Sequence, residues 1–553
     1  MLHTGPCLVL CTSWVFTPFN PNLISFPQLQ IRHIPKLCLL ATSLTNLLIL
    51  AMGTEIDVLT ATAEELQHLL SSSADITSKH LVQIYLSQIK RHNDYLKAII
   101  STAPKSLLLE RADMLDEERK NGKLRSPLHG IPILIKDNIA THFKSTGLDT
   151  TAGSLALANS NPRINAPIVD RLLEAGLIVI GKASLSELSW WKGKNLICGW
   201  NAVSGQAQSP YAKGGIRSDD SFAGHSNPGG SSSGSAIAVA AGFAPVSIGT
   251  ETFGSLMLPA GRAALYSLKP GRALISLSGI VPISSFSDQP GPMTKTTKDL
   301  AMLMDIITDP NNIPPGGYAS RVTGSWDGLK IGAVDPEIWK YTPDIRKILD
   351  EGMEKQLIDQ VRHAYEVIKE HATVFKDNVL LNIVDTFYVE GEEVLLKIFE
   401  KGFKEEFENY IKLLDTPQIK TLGELIAFNK AHADKELPHG YDNQDILELC
   451  EKTSLTSEDC ASYISHLTKF GRDEGVDKTF EEHNLNIIMG PIESPLYYFA
   501  AACGYPVAAM PLDYLDYNGR PHGLCAVAKE EGLLIQLQSA YEKTFPPRKP
   551  PTL

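Results

Sequence analysis

Gly229-Gly230-Ser231-Ser232-Ser233-Gly234-Ser235, the Ala-rich run that follows to Gly242, and Gly249-Thr250-Glu251-Thr252-Phe253-Gly254-Ser255 decide how this chain is read. Two serine-bearing, glycine-rich turns enclose a segment of small apolar residues. Residues 230–234 fit the G-x-S-x-G elbow that presents a nucleophilic serine, which would put Ser232 at its tip. That elbow needs an apolar strand directly before it, and His225-Ser226-Asn227-Pro228-Gly229 is loop-like. A phosphate-cradling loop at a helix N-terminus also starts this way, but the lysine of a Walker motif is missing. A free linker is disfavoured because an Ala/Val helix, Ser235 to Gly242, follows at once.

Upstream, Gly130-Ile131-Pro132-Ile133-Leu134-Ile135 is continuously apolar, the pattern of a strand covered on both faces. It delivers Lys136 into the polar pair Asp137-Asn138. Thr62-Ala63-Glu64-Glu65 reads as a capping box, with Leu66, Leu69 and Leu70 on one helical face. A second helix runs from Thr77 through Leu81, Ile84, Tyr85, Leu86 and Ile89, a third from Pro167 to Ala175, and Leu177–Ile180 is another buried strand. Thr297–Ile307 is helical. Pro506–Leu512 and His522–Val527 are strands flanking the Asn518-Gly519 turn, and a closing helix runs from Glu530 to Lys543. Strands alternating with helices make this an α/β chain. Residues 199–228 form a long polar loop, which inside a compact domain signals function. Residues 344–414 are charged and helical and carry no recognisable chemistry.

The chain has 553 residues, 43% hydrophobic and 21% charged, ordinary for a globular enzyme. Its net charge of -12 argues against a nucleic-acid surface, which normally shows a basic stripe. The 8 cysteines have neither CxxC nor Cys/His spacing, so they read as free thiols of a reducing, cytoplasmic compartment and not as a zinc site. Residues 1–52 contain no Asp or Glu and end in the apolar run 37–51, short for a membrane span and deep for a signal peptide. They read as an extension ahead of a start at Met52, with targeting left open. Residues 53–553 then form a single domain, within which 308–485 is a variable, mostly helical region.

Taken in order, GIPILIKDN around Lys136, TTAGS at 150–154, GKASLSELSW at 181–190, GGSSSGS at 229–235, GTETFGS at 249–255, LKP at 268–270, GPMTK at 291–295 and GYPVAAMPL at 504–512 resemble the amidase signature family. The resemblance spans Thr62 to Lys543, and the loop ending Gly224-His225-Ser226-Asn227-Pro228 is similar to the fungal-type branch. It implies a central mixed β-sheet flanked on both faces by α-helices, and an amidohydrolase using a Ser–Ser–Lys triad. Ser255 matches the family's nucleophile, Ser231 its bridging serine after a cis peptide bond, and Lys136 its general base. The backbone N–H groups of Thr252, Phe253, Gly254 and Ser255 would form the oxyanion hole, and Leu188 aligns with a substrate-contacting position. Ser232 would support the turn, and Asp137 and Asn138 would lie behind the triad. A small-molecule amide is the implied substrate, with no cofactor, metal or nucleic acid, and a homodimer is allowed.

Local chemistry agrees with these roles, because a serine hydroxyl needs a base and a lysine serves as one only when burial keeps it neutral. The chain also departs from the family. Many members read GTDxGGSxR across the nucleophile turn, where this chain has Glu251, Phe253 and Met257. Met257 leaves Glu251 without its usual arginine, and a side chain at Phe253 is costly if that position needs a positive φ. Two alternatives therefore stand beside an active amidase: a weakened amidase-fold protein with a binding or assembly role, and the amidase component of a glutamyl-tRNA amidotransferase.

Overall fold

A continuously apolar run needs cover on both faces, and Pro132–Ile135 receives it together with the Lys136 that follows: all five residues are buried. The computed structural model describes residues 56–553 apart from 74, 213, 218, 343, 344 and 348–350. The expectations for residues 1–52 lie outside the described residues. From Asp57 to Leu553 the chain packs as one unit.

Eleven strands form one sheet: β1 (Ile99–Thr102), β2 (Pro132–Lys136), β3 (Ile178–Ala183), β4 (Val246–Glu251), β5 (Tyr266–Lys269), β6 (Gln289–Thr294), β7 (Lys330–Ala333), β8 (Val374–Lys376), β9 (Ile487–Pro491), β10 (Val507–Tyr514) and β11 (Pro521–Ala528). Their order is β1-β3-β2-β4-β6-β5-β10-β11-β9-β7-β8. β2 runs parallel to β3 and β4, β7 runs parallel to β8 and β9, and the remaining pairs are antiparallel. The sheet is therefore mixed. Successive side chains leave opposite faces of a strand, so the complete burial of β2, β3, β4, β6 and β11 means that both faces are covered.

The helices read from periodicity form close to the expected bounds. Thr62 caps Ala63–Ser72, its hydroxyl accepting from Glu65 N at 3.1 Å while Glu65 Oε2 accepts from Thr62 N at 2.9 Å. Ser78–Leu96, Pro167–Glu174, Thr297–Ile307 and Glu531–Thr544 follow. The alanine-rich helix Ser233–Ala240 is buried along its whole length against β2, β3 and β4, where only small side chains let a helix lie that close.

β6 carries Pro290 and Pro292 yet sits between β4 and β5. Prolines argue against a central strand, which is why this one escapes a reading by pattern. Gly291 accommodates the crowding, since a Cβ there would lie 2.1 Å from Leu268 O. The region 308–485 is also more than helices. It supplies β7 and β8 to the sheet, then Val394–Ile411 and the helices from Leu422 to His483. Among the described residues no helix is long and apolar enough to cross a membrane, and no group of three or more His, Cys, Asp or Glu is arranged to hold a metal.

Glu493, just beyond β9, is buried and ties three distant segments together. It meets Arg262 at 3.0 Å, Arg346 at 2.7 Å and Arg520 in a short contact. Burial opposes ionisation of this carboxyl, but Arg262, Arg520 and Arg346 overcome it and hold the group well below the usual carboxylate range. Removing one partner of such a cluster leaves buried charge uncompensated, at a cost of about 3–5 kcal/mol. Glu493→Gln is therefore expected to lower the thermal unfolding midpoint clearly; an unchanged midpoint would contradict the role given to this residue.

Candidate active site

Lys136 is the last residue of β2 and is fully buried. β2 pairs with β4 through Ile135 and Ile248, so Thr250 follows close to the lysine's end of the strand. Lys136 Nζ lies 2.8 Å from Ser231 Oγ, 2.9 Å from Thr250 Oγ1 and 3.3 Å from Thr250 O. Asn138 Nδ2 donates to the same Thr250 hydroxyl at 3.0 Å. Burial pulls the lysine pKa down to about 7, against the opposing pull of Asp288 and Glu251. An ammonium would donate to all three oxygens. A neutral amine can donate to the two Thr250 oxygens and still take the Ser231 proton on its lone pair.

The two serine turns meet through the backbone, Ser232 N donating to Ser255 O at 3.1 Å. The Gly230–Ser231 bond is cis, as the resemblance implies. Ser232 is fully buried; its hydroxyl donates to Thr250 O at 2.9 Å and accepts from Thr250 N at 3.2 Å. Both bonds hold the turn against β4. Ser231 and Ser255 line one narrow cavity of about 30 Å³.

The turn that carries Ser255 is supported without the arginine of the GTDxGGSxR pattern. Glu251 Oε2 accepts from the N–H groups of Leu256 at 2.7 Å and Met257 at 3.0 Å, so Met257 serves the carboxylate through its backbone. Burial lowers the pKa of Lys269 to about 8, and Glu251 is the leading charge that resists this. The left-handed position falls on Gly254, at φ +95, and Phe253 escapes the expected strain. A Cβ on Gly254 would sit 2.7 Å from the Tyr497 ring. Among the described residues no protein acceptor takes the N–H of Phe253, Gly254 or Ser255. The Thr252 hydroxyl donates to Asp288 at 2.5 Å.

The sequence profile of the Amidase family matches residues 80–467. The chain belongs to this family. It is 34% identical over 492 residues to the probable amidase of Arabidopsis thaliana, covering 86% of this chain and 88% of that one. It is 29% identical over 539 residues to a putative amidase of Schizosaccharomyces pombe, covering 91% and 88%. It is 28% identical over 516 residues to the A-type component of the glutamyl-tRNA(Gln) amidotransferase of Chloroflexus aggregans, covering 89% and 97%. The solved peptide amidase of Stenotrophomonas maltophilia superposes with a TM-score of 0.76 at 33% identity, over 89% of this chain and 98% of that one. The protein is an amidase, a hydrolase of carbon–nitrogen bonds, on the fold it shares with that solved structure.

In this amidase the cavity wall is assembled from distant segments. Leu188 is buried and does not line the cavity, nor does Thr252; the neighbours Ser189, Trp190 and Trp191 do. Leu188, Ser189 and Trp190 stand at φ +49, +57 and +75, three successive non-glycine residues in the left-handed region. Such a turn costs roughly 1–2 kcal/mol per residue and persists only where its surroundings fix it. Here Leu188 N donates to Ala152 O at 2.9 Å, Asn138 to Ser189 Oγ at 3.3 Å and Trp190 Nε1 to Leu196 O at 2.8 Å. The polar loop 199–228 contributes Phe222, whose ring packs 4.2 Å from that of Trp190. Phe253 lines the cavity between Phe399, at 5.4 Å, and Tyr498, at 5.2 Å. Asp137 lies behind Lys136, 3.8 Å from Lys182, and accepts from Thr151 N at 3.1 Å.

Sequence reasoning missed Thr250, Phe222, Tyr341, Tyr497 and Tyr498. The visible hints were the Tyr497-Tyr498 pair just ahead of GYPVAAMPL, the place of Thr250 inside GTETFGS and the length of the loop that holds Phe222.

The depressed lysine pKa has two measurable consequences. An unfolded chain binds a proton at this lysine below about pH 10.5, whereas the folded chain does not until about pH 7. Folding stability owed to Lys136 is thus lost as pH falls across that window. Comparing Lys136→Met with the wild type, the difference in Tm should move in the variant's favour as pH is lowered from about 10 to about 7. The wild-type kcat/KM should rise tenfold per pH unit towards a plateau above about 7. A difference in Tm that does not change with pH would show that this lysine keeps its ordinary pKa.

Proposed function

We propose that this amidase cleaves a carboxamide through a Ser255–Ser231–Lys136 triad and an acyl-enzyme. The observation that carries the reading is the fully buried Lys136 amine, hydrogen-bonded at 2.8 Å to Ser231 on the floor of a cavity that Ser255 also lines. Ser255 Oγ attacks the carbonyl carbon while its proton passes to Ser231, whose own proton passes to the Lys136 lone pair. The carbonyl π electrons move onto oxygen, and the N–H groups of Phe253, Gly254 and Ser255 receive that oxyanion. Preorganised donors of this kind each contribute roughly 2.7–4 kcal/mol. As the tetrahedral centre collapses the C–N bond breaks, its electron pair stays on nitrogen, and the proton returns from Lys136 through Ser231 to the leaving ammonia or amine. Water then repeats the attack on the Ser255 ester, releasing the acid and the free serine. We also read the long loop 199–228 as the mark of the fungal-type branch.

The likeness to a component of a glutamyl-tRNA(Gln) amidotransferase favours a second reading, in which the ammonia released is passed to a partner protein. Steady hydrolysis by the isolated chain, without such a partner, separates the two.

A serine-directed fluorophosphonate should label the wild type and leave Ser255→Ala unlabelled. Ser255→Ala and Lys136→Ala should each lose at least about 10⁴-fold in kcat. Intact-mass measurement of a quenched ester reaction should find the acyl adduct on Ser255. Labelling that survives in Ser255→Ala, or equal amide turnover in wild type and Lys136→Ala, would overturn this assignment.

A further inference from the structure

Among the described residues the cavity wall carries no Asp, Glu, Lys or Arg. Seven of its fifteen residues are aromatic, Phe222, Phe253, Tyr341, Tyr497 and Tyr498 among them. Burial raises Tyr341, Tyr497 and Tyr498 far above neutral pH, and pushes the Cys198 thiol beside them up to about 12, so these groups stay uncharged in use. A charged group on the substrate would lose its water here and find no counter-charge on the wall. Flat rings, with Tyr497 and Tyr498 at 5.3 Å and Phe253 and Tyr498 at 5.2 Å, favour a planar aromatic guest over a flexible chain.

Beyond the hydroxyls of Ser189, Ser231 and Ser255 and the Cys198 thiol, the wall carries a tyrosine pair. Tyr341 and Tyr497 are both buried, and their hydroxyls are joined to each other in a short hydrogen bond. Among the described residues neither hydroxyl has another hydrogen-bond partner. Two hydroxyls hold two protons, and the bond between them uses one. The second O–H is left to donate to whatever occupies the cavity, and a buried donor without an acceptor is costly. The pair stands beside the nucleophile turn, because the Tyr497 ring is what a Cβ at Gly254 would strike at 2.7 Å.

We propose that this amidase selects uncharged aromatic carboxamides that bear a hydrogen-bond acceptor on the ring, and that the Tyr341–Tyr497 hydroxyl pair orients them through its spare proton. The substrate class rests on the triad assignment above. Glutamine, with its ammonium and carboxylate, falls outside it.

The test uses the full chain with benzamides carrying methoxy, methyl or carboxylate groups at the ortho, meta and para positions, together with hexanamide and glutamine. Methyl- and methoxybenzamides should exceed hexanamide, carboxybenzamides and glutamine by at least about a hundredfold in kcat/KM. At one ring position or more, methoxy should be preferred over methyl by about tenfold or better, mainly through KM. Tyr341→Phe and Tyr497→Phe should each bring that ratio close to one. A merely structural loss would instead lower both substrates together and leave the ratio intact. Fluorophosphonate labelling of Ser255 is followed in parallel. Labelled enzyme that prefers hexanamide or glutamine, shows no methoxy preference at any position, or hydrolyses none of the panel overturns the substrate class while the triad stands. A methoxy preference removed by both tyrosine variants in protein that resists labelling overturns the triad alone.

Discussion

Placing an amine where water cannot reach it is the constraint on which the rest of this structure depends. Lys136 stands at the end of a strand buried on both faces, and its nitrogen has only hydroxyl and carbonyl oxygens as hydrogen-bond partners. With carboxylates at a distance and oxygens close by, the ammonium is destabilised but the amine is still well held. That balance needs β2 and β4 in parallel register, the Ser231 turn packed against β4 by Ser232, and an all-buried Ser233–Ala240 helix behind them. The helix can lie that close because its side chains are small.

The turn that carries Ser255 is held by backbone donors and by a glycine. Leu256 and Met257 donate backbone N–H groups to Glu251, and Lys269 feels the same carboxylate from elsewhere in the sheet. Gly254 takes the left-handed conformation, which frees Phe253 to project into the cavity and to pack on Phe399 and Tyr498. The residue that looked like a defect is part of the wall.

Residues 308–485 carry no motif, yet they close the site. Phe399 backs Phe253 from the helix Val394–Ile411, Tyr341 lines the cavity, and β7 and β8 extend the sheet. The pattern of this region showed helices because its surfaces face both solvent and protein. It hid the strands because β7 and β8 are only four and three residues long.

By itself the sequence determined what local chemistry can specify: the capping box at Thr62, the two-face burial of β2, the helices Pro167–Glu174 and Thr297–Ile307, and the candidate chemistry of Lys136, Ser231 and Ser255. These follow from periodicity and from residue types that few other roles require. The tertiary structure alone decided that Thr250 completes the lysine's environment, that Ser189 and Trp190 line the cavity in place of Leu188, and that Tyr341 and Tyr497 share a hydrogen bond across 156 positions of chain. Such contacts join segments with no common period. An aromatic or a threonine reads alike in a core and in a site until its neighbours are known, and sheet order, which local pattern leaves open, chooses those neighbours.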